Sequence, residues 1–357
     1  MKRAVFVLVA VILAVAALLL VFRDPITMRL VERVAARNIQ STLLDELPDG
    51  LHVGLCGAGS PLPDPLRSGP CVFVIAGEQL YVVDAGAGSV RTFPRMGVPA
   101  GEIDGIFLTH LHSDHIDGLG ELEMQRWANG GHAEPVPVYG PPGVGEVVAG
   151  VNRAYGPSRR YRVAHHGEAI VPSSGAGAVA RPFRAPEEGE SLRVLERDGL
   201  VVTAFRVDHE PVDPAVGYRF DYAGRSVVIS GDTKKSDNLQ AFATGTDLLV
   251  HEALSARLVG ALTRAAEAGG RPNLAKITRD ILDYHATPVE AAEVAEGAGA
   301  GHLLYYHIVP PLLIAPMEAV FLDGVDEVYG GPTTLGRDGT FVRMDADSDS
   351  IEVRELL

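Results

Sequence analysis

The residues best suited to chemistry lie between positions 109 and 115, where the sequence reads THLHSDH. Three histidines, His110, His112 and His115, fall with Asp114 inside six consecutive positions. The apolar run 103–108 before them predicts a β-strand, so the motif occupies the turn after a strand. Neutral imidazoles and a carboxylate are ligands for zinc and similar metals. The motif therefore predicts a metal site at a strand end, where functional side chains commonly lie.

The cysteine count limits how such a metal is held. Cys56 and Cys71 are the two cysteines of the chain, too few for a cysteine zinc cluster, so histidine and carboxylate must supply the ligands. Both cysteines fall on strands predicted to form one hairpin. A disulfide between them and a pair of buried free thiols therefore both remain open.

The charge balance bears on the class of partner. The 357 residues carry 31 basic and 46 acidic side chains, a formal net charge of −15, and 46% of them are hydrophobic. This composition is typical of a folded globular protein and excludes a disordered chain. A negative field repels phosphate backbones, and no basic patch is obvious in the sequence. We therefore do not expect nucleic acid as a partner, and the oligomeric state stays open.

The elements that position the motif begin near residue 50, where short apolar runs closed by glycine or aspartate start. Strands are predicted at 51–56, 71–76, 80–84, 103–109, 136–139, 201–207, 226–230, 248–251, 302–306, 340–343 and 351–353. Helices are predicted at 143–155 and 316–321, and a third begins at Thr287, which with Glu290 forms a capping box. Residues 167–190, rich in small residues, proline and glutamate, predict a surface insertion. The pattern indicates one catalytic domain, residues 50–357.

The amino terminus has a different composition. Ala4–Phe22 is a run of 19 apolar residues, about 28 Å long as a helix and close to the roughly 30 Å of a hydrocarbon core. Its small-residue segment lies inside the run, which favours an uncleaved anchor over a cleaved signal peptide or a buried core helix. We expect a membrane anchor or signal at 1–23 and a linker helix at 24–49. The membrane-anchored catalytic domain is expected in the periplasm or outside the cell.

The string at 110–115 resembles the H-x-H-x-D-H motif of the metallo-β-lactamase superfamily, and the resemblance extends over about residues 50–345. It implies an α/β fold, a four-layer αββα sandwich with a dinuclear metal site at one sheet edge, here preceded by the N-terminal transmembrane helix. The family's remaining ligands are a distant histidine, a bridging aspartate and a final histidine. These match His209, Asp232 and His307, each of which follows an apolar run.

Carried over residue by residue, the resemblance assigns the ligands of two zinc ions, with iron or manganese as alternative metals. One ion is assigned to His110, His112 and His209. The other is assigned to Asp114, His115 and His307, and Asp232 bridges the two ions. Asp84, in the segment VVDAG, matches an early aspartate of the family that supports the metal-binding loop.

Two further segments resemble the ribonuclease Z and arylsulfatase-like branch of this superfamily. The strand ending in His251-Glu252 and the histidine before the capped helix match a glutamate and histidine that pair beside the metals in that branch. The resemblance implies that Glu252 orients His285, which donates a proton to the leaving group. Asp114, His285 and Glu252 are thus the expected catalytic residues.

The chain departs from many ribonucleases Z in one respect. Their long arm that grips transfer RNA lies between the residues matching His209 and Asp232, and here only 23 positions separate these two. With the negative charge, this spacing leads us to expect a small-molecule ester substrate and an arylsulfatase or phosphodiesterase activity through a metal-bridging hydroxide. The alternatives are a carboxylic ester, thioester or lactone hydrolase, and, in another class, a non-hydrolytic metal oxidoreductase or a metal-binding module.

Overall fold

The computed structural model describes residues 22–33, 35–36 and 42–357. The chain divides into two units, Met1–Glu46 and Leu47–Leu357. In the first, residues 22–33 and 35–36 are helical, as is α1 (Leu43–Glu46). The predicted transmembrane helix lies outside the described residues except at its end, and no helix within the described ranges is long and apolar enough to cross a bilayer.

The second unit is built on two mixed β-sheets. The strands of sheet 1 are β1 (Leu51–Gly57), β2 (Cys71–Ala76), β3 (Gln79–Val83), β4 (Ile103–Phe107), β5 (Val136–Gly140), β6 (Ala178–Pro182), β14 (Thr340–Arg343) and β15 (Glu352–Glu355). Those of sheet 2 are β7 (Ser191–Arg197), β8 (Leu200–Arg206), β9 (Val216–Tyr222), β10 (Arg225–Ile229), β11 (Leu248–Leu254), β12 (His302–Val309) and β13 (Thr333–Leu335). The spatial orders are β15-β14-β1-β2-β3-β4-β5-β6 and β13-β12-β11-β10-β9-β8-β7.

Each sheet combines antiparallel hairpins with a parallel half. The strands from β3 to β6 are parallel, as are those from β10 to β13. β2, β3, β11 and β12 are buried along their whole length, which explains why they are almost continuously apolar in sequence. Parallel strands end at the same edge of a sheet. Turns that follow them therefore bring side chains from distant parts of the chain together.

Helices cover the outer faces of both sheets. They are α2 (Phe93–Met96), α3 (Ser113–Ile116), α4 (Leu119–Gly130), α5 (Val144–His166), α6 (Asp237–Phe242), α7 (Ala256–Ala268), α8 (Pro272–Asp280), α9 (Pro288–Ala298) and α10 (Ala315–Phe321). One core lies between the sheets and contains Val53, Phe107, Tyr218 and Val250. A second lies between sheet 2 and α6, α9 and α10. The order of layers is the αββα sandwich that the resemblance implies.

The capped helix begins as the sequence predicts. The Thr287 side chain accepts a hydrogen bond from the Glu290 backbone N–H, and the Glu290 carboxylate accepts one from the Thr287 N–H at 2.8 Å. Such a cap contributes about 1 kcal/mol to helix stability. Of the two states left open for the cysteines, the structure contains the disulfide, Cys56–Cys71, with the Cα atoms 5.0 Å apart.

Two elements differ from the prediction. Helix α5 continues to His166 instead of ending near residue 155. Gly156 and Pro157 lie inside the helix and do not end it. Residues 167–190 are not only a surface insertion, since they contain β6, the last strand of sheet 1. Asn152 of α5 fixes the start of this strand by accepting a hydrogen bond from the Ala178 N–H and donating one to its carbonyl.

Candidate metal centre

Six of the seven predicted ligands lie in turns or in a short helix that follow strands of the two sheets, and the seventh, His307, lies within a strand. In sheet 1, β4 ends at Phe107, and His110 and His112 occupy the turn before α3, which carries Asp114 and His115. In sheet 2, the remaining candidates follow β8, follow β10 and lie within β12; they are His209, Asp232 and His307. The structure brings all seven together. Ligand atoms of His110, His112, His209 and Asp232 lie within 4.8 Å of one another, as do those of Asp114, His115 and His307.

The position of His307 depends on a bulge in β12. Glu252 on β11 pairs with Tyr306, but the next residue of β11, Ala253, pairs with Ile308, so His307 is an extra residue without a partner in the ladder. Its φ is +46°, a left-handed conformation that costs energy in a non-glycine residue. Bulges of this kind redirect a side chain at a sheet edge. Here the bulge places the imidazole beside the aspartates of the site.

Asp232 lies at the centre of the cluster. Its Oδ2 is 3.2 Å from His307 Nε2 and 3.3 Å from His115 Nε2. The same oxygen is 3.9 Å from the Nε2 atoms of His110 and His209. One carboxylate therefore contacts histidines of both ligand groups, which is the position that the prediction of a bridging aspartate requires. Its other oxygen, Oδ1, is buried and has no hydrogen-bond partner.

Hydrogen bonds outside the cluster decide which ring nitrogens face it. The Thr109 hydroxyl donates to Asp84 Oδ2 at 2.8 Å, so it accepts a hydrogen bond from His110 Nδ1–H at 3.1 Å. With the proton on Nδ1, the Nε2 atom of neutral His110 has a free lone pair. His115 Nδ1–H donates to the same Asp84 oxygen at 2.8 Å. His209 Nδ1–H donates to the Tyr284 carbonyl at 2.9 Å. Partners of this kind orient metal-binding histidines in other proteins.

The resulting arrangement fits a metal cation. His112 Nδ1 lies 3.1 Å from His110 Nε2 and 3.4 Å from His209 Nε2. Both of these Nε2 atoms are hydrogen-bond acceptors, and a single proton on His112 Nδ1 can be donated to only one of them. Nitrogens about 2.0–2.1 Å from a tetrahedral zinc would be about 3.3 Å apart. In the second group, His115 Nε2 and His307 Nδ1 are buried without a hydrogen-bond partner. Histidine and carboxylate donors with unsatisfied atoms are the set that zinc prefers.

The electrostatics of the cluster also favour the binding of a metal cation. Burial lowers the pKa values of His110, His112 and His209, which favours neutral imidazoles that can act as ligands. Burial would also lower the pKa of His115, but Asp232 and Asp84 outweigh it and raise this pKa well above its usual value. For Asp232, burial would raise the pKa, yet the charges of His307 and His115 hold it far below its usual value. The carboxylates thus stabilise positive charge at the centre of a buried site.

Glu252 and His285 form a pair beside the cluster. His285 Nδ1–H donates to Glu252 Oε1 at 3.0 Å, and the same oxygen accepts the N–H groups of Thr233 and Ala286. Burial alone would lower the pKa of His285, but the Glu252 carboxylate raises it to about 9. Ligand atoms of Asp232, His285 and His307 lie within 4.8 Å of one another. His285 is therefore close enough to act on a substrate at the metals or to bind a metal itself.

The structure also shows what the sequence did not indicate. Thr109 and Tyr284 fix the rings of His110 and His209, and both are adjacent in sequence to site histidines, which is the one signal that marks them. His251 is buried with its Nδ1–H bonded to the Glu252 carbonyl at 2.7 Å. It belongs to none of the ligand groups found among the described residues.

Comparisons with known proteins agree with this geometry. Residues 80–308 match the family model described as a β-lactamase superfamily domain. A ribonuclease Z of Mycobacterium avium is 36% identical over 300 residues, covering 84% of this chain and 100% of the relative. A ribonuclease Z of Mycobacterium bovis is 37% identical over 264 residues, covering 73% and 87%.

Solved structures show the same fold. The metallo-β-lactamase fold protein YhfI from Bacillus subtilis superimposes with a TM-score of 0.59 at 19% identity, covering 82% of this chain and 99% of that one. The short form of human tRNase Z gives 0.57 at 23% identity, covering 81% and 98%. With the ligand cluster at the edge of the sandwich, these matches lead to one conclusion: the chain belongs to the metallo-β-lactamase superfamily, in which it is a zinc-dependent hydrolase similar to ribonuclease Z.

Proposed function

We propose that this chain is a ribonuclease Z-type phosphodiesterase that hydrolyses RNA. The expectation of a small-molecule ester substrate without a nucleic-acid partner is wrong, because relatives matched over 84% and 73% of the chain are named ribonuclease Z. The arylsulfatase activity that we expected has no support among these relatives. Phosphodiester hydrolysis, the other half of that expectation, is retained here with RNA as the substrate.

The observation that carries the proposal is the buried Glu252–His285 pair beside the ligand cluster. Cleavage of RNA between phosphorus and a ribose oxygen releases an alkoxide, which needs a proton as it departs, whereas an aryl sulfate releases a stable phenolate. The Nδ1–H of His285 is held by the buried Glu252 carboxylate, which raises the pKa of the imidazole to about 9 and so favours the form that can donate a proton. The site is therefore equipped for a poor leaving group such as a ribose oxygen.

The chain's other site residues have distinct tasks. His110, His112 and His209 would hold one zinc ion and Asp114, His115 and His307 a second, with Asp232 contacting both. When bound, zinc supplies a nucleophile from water near neutral pH and stabilises negative charge on the phosphate. Asp114, with Oδ2 3.3 Å from His307 Nε2, contributes a carboxylate to the second group. Asp84 and Thr109 hold the imidazoles in the orientation that binding requires.

Two sequence-based arguments, the missing arm and the negative net charge, disfavoured RNA as the substrate. Neither of them excludes it, for the following reasons. No long arm fits between His209 and Asp232, because most of this interval, residues 216–229, forms the hairpin β9–β10. The relative from Mycobacterium avium nevertheless matches along its whole length, so such an arm is not required for similarity to ribonuclease Z. The net charge of −15 is a sum over the whole chain and does not describe any one surface.

The test is a direct substrate comparison with zinc-loaded full-length protein. We expect cleavage of a precursor transfer RNA that carries a 3′ extension, slower hydrolysis of bis(4-nitrophenyl) phosphate, and no hydrolysis of 4-nitrophenyl sulfate. Asp232→Ala serves as the inactive control for contaminating nucleases. Hydrolysis of the sulfate with no cleavage of RNA would reject the proposal.

We propose separately that the catalytic domain is anchored to a membrane and lies in an oxidising compartment. The apolar run 4–22 and the Cys56–Cys71 disulfide support this localisation, since disulfides persist mainly outside the cytoplasm. Membrane fractionation combined with thiol counting under denaturing, non-reducing conditions tests it. Free thiols in protein from a soluble cytosolic fraction would reject it.

A further inference from the structure

An enzyme that acts on RNA needs a surface that attracts the phosphates of its substrate. The ligand cluster itself can contact only the phosphate at the scissile bond. We propose that Arg153 and Arg160, two exposed arginines on the same side of helix α5, form this surface and bind the phosphate backbone of the RNA substrate. This inference rests on the proposed function and assigns the docking of its substrate.

The first observation is the local charge of α5. From residue 147 to residue 167 the chain has no aspartate or glutamate, although 46 of its 357 residues are acidic. The same segment has four arginines and two histidines. Arg153, Arg160 and Arg162 are exposed, as are His165 and His166 at the end of the helix. The segment is therefore a local reversal of the sign of the protein's charge.

The second observation is that these arginines have no carboxylate partner. Elsewhere, exposed cations are mostly neutralised, as in Arg197–Asp104, Lys235–Glu293 and Arg337–Glu318. On α5, Arg159 alone is paired, with the buried Glu123. Among the described residues, none forms an ion pair or hydrogen bond with Arg153, Arg160 or Arg162. Unpaired arginines are free to form bidentate contacts with phosphate.

The inner side of α5 is fixed, so the arginines stand on a rigid support. Asn152 bonds to both backbone groups of Ala178 at the start of β6, and Arg159 donates to Asn152 Oδ1 at 2.9 Å. Arg153 and Arg160 are seven residues apart, two helical turns, and so project from the same side. Tyr161, 72% exposed beside Arg160, offers a ring on which a base can stack.

The helix also connects this surface to the metal centre. A Cβ atom on Gly143, just before α5, would lie 2.7 Å from Leu111, which stands between His110 and His112. At 1.5 Å per residue, Arg153 lies up to about 14 Å and Arg160 up to about 24 Å along the helix from its start. RNA held by both regions would extend over several nucleotides. This length suits a structured RNA rather than a small ester.

A membrane surface is the competing partner for exposed arginines, but the outer side of α5 lacks the large apolar side chains that insert into lipid. Between Arg153 and His166 the exposed residues are arginine, histidine, alanine, proline and Tyr161. Charge with one aromatic ring is typical of nucleic-acid surfaces. We therefore assign this surface to RNA.

The experiment compares two full-length, zinc-loaded double variants with equal loss of charge. Arg153→Ala/Arg160→Ala removes the proposed surface, and Arg264→Ala/Arg271→Ala removes two exposed arginines elsewhere that have no partner among the described residues. Binding of a fluorescent precursor transfer RNA is measured from 50 to 200 mM salt. We expect the first variant to bind on the order of tenfold more weakly, with the slope of log affinity against log salt reduced by roughly two. The control variant and turnover of bis(4-nitrophenyl) phosphate should stay within about twofold of wild type.

Each other outcome has a definite meaning. Wild-type affinity and slope in the first variant would overturn the inference and leave the proposed function intact. Unchanged RNA binding with lost binding to phosphatidylglycerol vesicles would overturn it in favour of a membrane contact. A wild-type protein that hydrolyses the small diester but neither binds nor cleaves RNA would reject the proposed function and this inference together.

Discussion

The metal centre and the outer side of α5 both carry charged groups, but these groups are buried and held by neighbours in the metal centre and exposed and unpaired on α5. In the metal centre, His110, His115 and Asp232 are buried, and neighbouring residues fix the direction of each ring. On α5, Arg153 and Arg160 are exposed and form no ion pair or hydrogen bond with any described residue. The comparison teaches that chemistry at phosphorus demands fixed atoms, whereas attraction of a polyanion needs only a local density of unpaired charge.

The largest effect should follow from removing Asp232. This carboxylate contacts histidines of both ligand groups, so Asp232→Ala would leave the two groups without a shared carboxylate, and zinc should be lost together with RNA cleavage. Zinc per chain is measured against wild type, His110→Ala and His307→Ala. Asp208→Ala, an exposed aspartate beside His209, serves as the matched control and should keep its zinc. Wild-type zinc content in Asp232→Ala would contradict the bridging assignment.

The next largest effect should come from His285. If His285 protonates the leaving group as proposed, His285→Ala should reduce RNA turnover on the order of 10² to 10⁴ and affect bis(4-nitrophenyl) phosphate far less. Glu252→Gln should show the same selectivity in a milder form. Turnover is measured over a series of leaving groups with zinc content checked for each preparation. A reduction that is equal for all leaving groups would exclude the acid role, and a loss of zinc would identify His285 as a ligand.

A smaller effect should follow from Asp84→Asn. Asp84 accepts hydrogen bonds from His115 and Thr109, and through Thr109 it also fixes His110. Its replacement should lower zinc affinity by about 10- to 100-fold, and added zinc should restore most of the activity. Competition with a chelator measures the affinity, with the exposed Asp117→Asn as control. If zinc affinity is unchanged while activity falls, Asp84 acts on the reaction and not on the ligands.

The smallest effect should come from one arginine of α5. Arg160→Ala should weaken RNA binding only a few-fold and reduce the salt slope by roughly one, because it removes one phosphate contact and leaves that of Arg153. Fluorescence anisotropy at several salt concentrations is sufficient to measure it. An effect as large as that of His285→Ala on turnover would mean that α5 contributes to chemistry, and the contrast between the two regions would fail.

Local sequence predicted much of the fold and of the site. Strand β2 has the predicted bounds, and the capping box that starts α9 forms as expected. Polar residues after apolar runs marked His110, His209 and Asp232, because a strand buried between layers cannot continue through a charged side chain. These features depend on residues within a few positions of one another. The roles of the ligands remain predictions until zinc is measured.

Other features depend on contacts between distant parts of the chain. The bulge that redirects His307 is set by pairing with β11, and the ring of His209 is oriented by Tyr284, 75 residues away. The continuation of α5 past Pro157 is accompanied by its bonds to β6. Each of these is a property of neighbours in space that no local pattern contains.

The expectation that nucleic acid is not a partner shows most clearly the difference between what local sequence predicts and what contacts in space decide. The sequence by itself determined the residue types, the ligand order and the sum of the charges. Only the tertiary structure decided which charges neutralise one another: Arg197 meets Asp104 across 93 positions, while Arg153 and Arg160 of α5 meet no carboxylate among the described residues. Electrostatic attraction falls with distance in space and not along the chain, so a negative total is compatible with a positive surface.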